Sequence, residues 1–219
     1  MTSDVKGPRR YDASGRREQA KQNRRAVLDS GHRLFLERGF AGTTVPMVAA
    51  DAGVSVQTVY KVFGNKVGLA KAVFDVAMAG DDEPVPMLDR SLMGRVRDEP
   101  DPRRRFELYG EFLAVVAPRH VPVQLVIREA AAHDPEAQTV WNTLQEERRR
   151  GMTIFADALA DEGSLRPDVS AAEARDVLWT YNSAELYQLL VMESGWSPER
   201  YGRWVAAALT AALLPAPRP

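Results

Sequence analysis

The chain has 219 residues and a hydrophobic content of 45%, enough for one large domain or for a small domain followed by a medium one. It has no cysteine and three histidines, His32, His120 and His133, none at metal-ligand spacing from another, which excludes disulfides, thiolate metal sites and a cysteine nucleophile. The net charge of −1 hides an uneven distribution: residues 1–75 carry 13 Lys and Arg against 7 Asp and Glu, and the remainder carries 16 against 23.

A basic first third fits a polyanion partner at that end, or a basic solvated face. The N-terminus is polar rather than an apolar signal core, and no run of about eighteen apolar residues occurs, so a soluble cytoplasmic protein without membrane contact is expected.

In chain order, residues 1–16 combine Gly, Pro and charge without periodicity and read as a flexible basic arm. Residues 6–25 hold eight basic side chains, Lys6, Arg9, Arg10, Arg16, Arg17, Lys21, Arg24 and Arg25, which could follow a narrow minor groove or serve only to solubilise the tail. From Arg17 to Arg38 the residues Val27, Leu28, Leu34 and Phe35 share one helical face, and Gly39 ends that helix. Thr44 is a natural cap for a short helix with Pro46 in its first turn. Gly53 permits a tight turn, Ser55 caps the next helix, and that helix stops near Gly64. Asn65 caps a further helix from Lys66 to Ala79.

The acidic, proline-containing segment 81–86 connects to a predicted helix from Met87 to Arg97. Amphipathic stretches follow at 102–117, 121–133 and 135–161. Beyond the loop at 163–167 come helices at 170–193 and 198–214, and the proline-rich tail 215–219 cannot extend the last one. The expected fold is all-α with about ten helices. Residues 17–66 form a helix-turn-helix unit, and residues 67–214 form a ligand-binding and dimerisation domain.

Two short helices meeting at a glycine turn, after a longer amphipathic helix, are a helix-turn-helix in sequence form. On the second short helix Val59 and Phe63 share the inward face, which leaves Val56, Gln57, Tyr60 and Lys61 outward or to the side. Gln57 suits a bidentate pairing with adenine and Val56 a thymine methyl, while Tyr60 and Lys61 suit phosphates or, for Tyr60, half-buried packing. Lys66 places a cation in the first turn of a helix, against the dipole, where a shared anion such as a DNA phosphate would relieve the conflict. A solvated lysine is the alternative.

The residues Gly39-Phe40, Thr43-Thr44, Val48-Ala49, Ala52-Gly53-Val54-Ser55, Thr58-Val59-Tyr60, Phe63 and Asn65-Lys66 together resemble the DNA-binding domain of the TetR (tetracycline-repressor-like) family. The segments Ala174–Trp179 and Gly195–Trp204 also look like one subgroup of it. The resemblance implies that Thr43 or Thr44 binds a phosphate, and that Thr58 and Tyr60 contact the backbone. It also implies that Val56 and Gln57 face the bases and that Lys66 holds a phosphate. Val62 departs from the pattern, which often has a polar residue before the phenylalanine.

No nucleophile-base pair and no glycine-rich phosphate loop appears in the C-terminal part, so no enzyme, cofactor or metal is expected. The resemblance implies instead a cavity between the helices at 87–97, 102–117, 121–133 and 135–161 for an unknown small-molecule effector. Candidate lining residues are Phe106, Tyr109, Phe112, Gln124, Arg128, Trp141, Asn142, Arg148, Asn182 and Glu185, with core packing the alternative for the aromatic ones. The last two helices are apolar on more than one side. Leu178, Leu186, Leu189, Trp204, Ala208 and Leu209 are therefore candidates for a symmetric homodimer contact, with the domain core as the alternative for part of them. The expected function is a repressor that binds double-stranded, near-palindromic operator DNA as a homodimer and is released by an apolar or amphipathic effector. A constitutive or architectural DNA-binding protein is the alternative, and a soluble helical enzyme a remote one.

Overall fold

Side chains cap most of the helices at their N-termini. The Thr44 hydroxyl accepts from the amide of Met47, Ser55 from Thr58 and Asn65 from Gly68. Asp101, Asp134, Ser170, Ser183 and Ser197 do the same further along. Each cap satisfies an amide that the first turn leaves without a partner. The computed structural model describes residues 13–83, 85, 87 and 90–216. The helices are α1 (Ala13–Arg38), α2 (Val45–Asp51), α3 (Val56–Phe63), α4 (Lys66–Ala79), α5 (Ser91–Asp98), α6 (Pro102–Ala131), α7 (Pro135–Asp161), α8 (Ala171–Tyr181), α9 (Ala184–Tyr187) and α10 (Pro198–Leu213). A π-helical turn, Gln188–Glu193, continues α9. Among the described residues there is no strand, and no helix is long and apolar enough to cross a membrane.

Several boundaries differ from expectation, each for a local reason. The first helix begins at Ala13, inside the expected arm, whose residues 1–12 lie outside the described residues. Of the tail, residues 217–219 also lie outside them. The helix predicted from Met87 begins at Ser91, and residues 84, 86, 88 and 89 before it are outside the described residues.

The predicted break near 118 does not occur, because α6 runs unbroken through Pro118 and Pro122. Those prolines stand four apart on the outer side, while Val116, Ala117, His120, Val121, Val123 and Gln124 are buried on the other. Burial of that face offsets the lost amide bonds, which cost about 3 kcal/mol for an interior proline. The helix expected at 170–193 is instead divided at Asn182–Ser183, where Ser183 caps a new start.

Two apolar clusters hold the molecule together. One combines Val27, Phe35, Phe40, Val48, Val59, Phe63, Leu69 and Val73 with Val123 and Ile127 of α6 and Val140 and Leu144 of α7. The core under the first three helices therefore continues into the long helices of the C-terminal part. The other cluster joins Phe106, Tyr109, Phe112, Met152, Phe155 and Leu159 to Leu178, Tyr187, Tyr201, Val205 and Leu209. Helices α6 and α10 cross here at Gly110 and Gly202. A Cβ on either glycine would fall inside van der Waals contact with the other's carbonyl oxygen.

Candidate functional site

Helices α2 and α3 are joined by Gly53, at φ 68°, which an L side chain adopts only with strain. Val59 and Phe63 anchor α3 from below, at 1% and 9% exposure. Gln57, Tyr60 and Lys61 are left exposed along its outer side, with Val56 and Thr58 half-buried at the edges. Val62 is exposed as well. Ser55 not only caps α3 but also lies 2.8 Å from the Thr58 hydroxyl, so these two side chains order each other at its N-terminus. The arrangement is a capped helix held from one face, with a polar and aromatic opposite face narrow enough for a major groove.

Around this helix the candidate residues divide. Thr44 is exposed at the start of α2, where its hydroxyl accepts from the Met47 amide and its carbonyl from the Val48 amide. Thr43 is not. It is 1% exposed, and its hydroxyl lies within hydrogen-bond distance of the carbonyls of Gly39 (2.8 Å) and Leu34 (3.0 Å), so it seals the end of α1 from within. Lys66 stands in the first turn of α4 with its ammonium 4.0 Å from the centre of the Phe40 ring. That cation–π contact draws the charge onto the helix-turn-helix core. Arg24 grips Asp82 with two hydrogen bonds, at 2.7 and 3.0 Å, and lies over the Phe63 ring at 5.0 Å. The base of α3, α1 and the connection after α4 thereby meet at one side chain.

The connection and the basic residues were legible in the sequence, but their pairing was not. Lys21 pairs with Glu83 at 2.8 Å, and Arg90 pairs with Asp81 at 2.7 Å, where hydrogen bonds from the guanidinium hold the carboxyl down at about 2. Arg119 of α6 donates to the Met78 carbonyl near the end of α4. Arg33 of α1 binds Asp51 of α2. Such pairs join residues up to 62 positions apart, which no local pattern reveals.

In the C-terminal part Phe106, Tyr109 and Phe112 are buried in one aromatic group with Phe155. Tyr109 and Asn182 both point polar hydrogens at the Met152 sulfur, at 3.6 and 3.8 Å. Arg148 reaches the Trp179 and Asn182 carbonyls. These candidates come together, whereas Trp141 packs against the other cluster with α1 and α4, Asn142 lies exposed, and Gln124 is buried on α6. Arg128 reaches Glu185 and Gln188, tying α6 to α9. Of the candidate contact residues on the last helices, Leu189 is 52% exposed, and Leu186, Trp204 and Ala208 are half-buried. Leu178 and Leu209 have no exposed surface and are core residues of the protomer, so they offer nothing to a partner. Among the described residues no three metal-ligating side chains gather.

Comparison with known proteins agrees with this geometry. Residues 27–73 match the family described as bacterial regulatory proteins, tetR family. The HTH-type transcriptional repressor Rv3405c of Mycobacterium tuberculosis is 30% identical over 191 residues, covering 80% of this chain and 97% of that protein. Among solved structures, NalD of Pseudomonas aeruginosa, the secondary repressor of the MexAB-OprM multidrug efflux pump, superposes with a TM-score of 0.68 at 17% identity, over 89% of this chain and 98% of that one. The regulator FadR of Bacillus subtilis, solved in complex with stearoyl-CoA, superposes with a TM-score of 0.66 at 17% identity, over 84% and 96%. These relatives are regulators of transcription, not enzymes. The chain belongs to the TetR family of DNA-binding transcriptional regulators.

Proposed function

We propose that this protein is a repressor that binds a near-palindromic operator as a homodimer, in the cytoplasm, and leaves it when a small apolar or amphipathic effector enters the C-terminal helices. The observation that carries the reading is the outer face of α3, where Gln57, Tyr60 and Lys61 stand exposed on a helix anchored by Val59 and Phe63. Residues 17–66 supply the DNA-binding unit, and the remainder to 214 supplies effector binding and dimerisation. In a twofold dimer the two α3 helices would lie about 34–36 Å apart, one turn of the duplex, or a multiple of it. An effector shifts this equilibrium only through its preference for one of two protomer arrangements.

Selection of random duplex DNA by the purified protein at near-physiological salt tests the reading. An enriched inverted repeat is expected. Enrichment of no sequence, with salt-sensitive binding to all, would favour a constitutive architectural role instead. With the selected site in hand, Gln57→Ala should relax preference at one base pair by about 1–3 kcal/mol. Lys66→Ala should weaken all duplexes alike and lower the salt slope by about one unit. An unaltered slope would assign Lys66 to the Phe40 contact alone.

A further inference from the structure

We propose that the C-terminal helices bind an organic carboxylate, with its acid group held at Arg148 and its apolar body against the rings of Tyr109, Phe112 and Phe155. The inference rests on the effector reading above and specifies the chemistry of that effector.

The two apolar clusters do not touch along α7. Leu144 belongs to the first and Met152 to the second, and the turns between them carry Gln145 and Arg148 inward. On α6 the changeover falls between Val121 and Val123, beside the buried His120 and Gln124. A polar layer therefore crosses the interior where the core under the DNA-binding helices ends.

Within this layer the hydrogen-bond ledger is one-sided. Arg148 donates to the Trp179 carbonyl at 2.8 Å, the Asn182 carbonyl at 2.6 Å and the Gln145 side-chain oxygen at 2.8 Å. The first two bonds cap the end of α8, where a cation is favourable. Three further N–H groups are buried without an acceptor: Nε of Arg148, Nε2 of Gln145 and Nε1 of Trp179. Tyr109 and Asn182 both donate to the Met152 thioether, a weak acceptor, beside the side-chain hydrogen bond between them. Donors are thus in surplus, and buried donors left without acceptors are costly.

The charge is likewise unbalanced. Among the described residues no carboxylate forms an ion pair with Arg148, and Glu185, whose charge reaches it, is bound to Arg128 at 2.8 Å. Burial pushes the Arg148 pKa down, the mark of a cation short of solvent and counter-charge. Two acceptor oxygens and one negative charge on a planar group complement this set, which is the geometry of a carboxylate against a guanidinium. The aromatic rings beside Met152 supply the dry wall for the rest of the molecule. An acid seated there would compete for the hydrogens that hold α8 at its break from α9. It would do so on the boundary of the cluster shared with α1 and α4.

The test uses the full-length protein with decanoate and 4-phenylbutyrate as probes and their methyl esters as neutral partners, read by thermal shift and by quenching of Trp179 fluorescence, identified with Trp179→Phe. The acids should raise Tm and bind at least about tenfold more tightly than the esters. Gln145→Glu keeps the oxygen that accepts from Arg148 and supplies an internal counter-charge. It should fold with a Tm at or above that of the parent, lose about tenfold or more in acid affinity and leave ester binding as it was. Arg148→Gln should lose the same discrimination. Equal binding of acids and esters, no Tm shift with any acid, or acid affinity untouched by Gln145→Glu would each overturn the assignment. The two readings separate on the selected operator duplex. Release by esters as well as acids, unaffected by Gln145→Glu, would keep the effector role and remove the carboxylate site. Acid binding at Arg148 with operator affinity unchanged would keep the site and remove the effector role.

Discussion

His120 shows how one buried side chain couples stability to pH. It is 5% exposed, its Nδ1–H donates to the Val116 carbonyl at 2.9 Å, and the Phe74 ring meets it edge to face at 5.5 Å. Burial pushes its pKa down from 6.5 to about 4. Between those values the unfolded chain binds a proton that the folded chain refuses. Stability is therefore unaffected above pH 6.5 and falls as pH drops towards 4, by about 3 kcal/mol. Urea unfolding should show His120→Leu losing less stability than the parent across this interval by about that amount, and equal losses would refute it. Thr43 is a second case. Thr43→Val removes a buried hydroxyl bond and should cost about 1–2 kcal/mol in the same assay. The salt slope of DNA binding should stay unchanged, because the hydroxyl faces the interior. The sequence named Thr44 alone as a cap, the resemblance offered either threonine to a phosphate, and only the packing of residue 43 under α1 separated them in that role.

Among elements, the crossing of α6 and α10 is set by backbone contact rather than by interlocking side chains. Gly110→Ala would drive a methyl group into the Gly202 carbonyl, and two long helices cannot separate locally, so a loss of about 1–3 kcal/mol or more is expected. Gly151, in the middle of α7, has open space where a Cβ would stand. Gly151→Ala should stabilise by up to about 1 kcal/mol, since alanine is the better helix former. Chemical denaturation of the two variants side by side checks the opposite signs. Helix starts were legible in the sequence because caps are local: Thr44, Ser55, Asn65 and Pro198 all stand where expected. The continuity of α6 through two prolines was not, because burial of its far face outweighs the local breakers. The break at Asn182 has a local mark in Ser183, which caps α9, and is closed by Arg148 from another helix.

At the scale of the molecule, α1 is fastened to the connection after α4 by Arg24–Asp82 and Lys21–Glu83, and α4 to the C-terminal helices by Arg119 and by the shared apolar cluster. A shift of α6 or α7 would reach α3 through these contacts, since Arg24 also covers Phe63. Asp82→Asn should weaken the fastening by about 1 kcal/mol, the scale of a partly exposed ion pair. Amide exchange in the first turns of α1 should then quicken by about fivefold, with α6 unchanged. Unaltered protection in α1 would show that the apolar cluster alone holds it.

The sequence alone determined the helical class, the capped helix-turn-helix with Val59 and Phe63 inward, the outward set of Gln57, Tyr60 and Lys61, and the family. Each depends on spacing within a few turns, where periodicity and caps act. Only the tertiary structure decided that Thr43 turns inward and that Leu178 and Leu209 belong to the protomer core. It also joined Arg24 to Asp82 and placed Gln145, Arg148 and Trp179 in one donor-rich layer. Those outcomes depend on which helices meet, and burial and charge pairing between distant segments are settled only when they do.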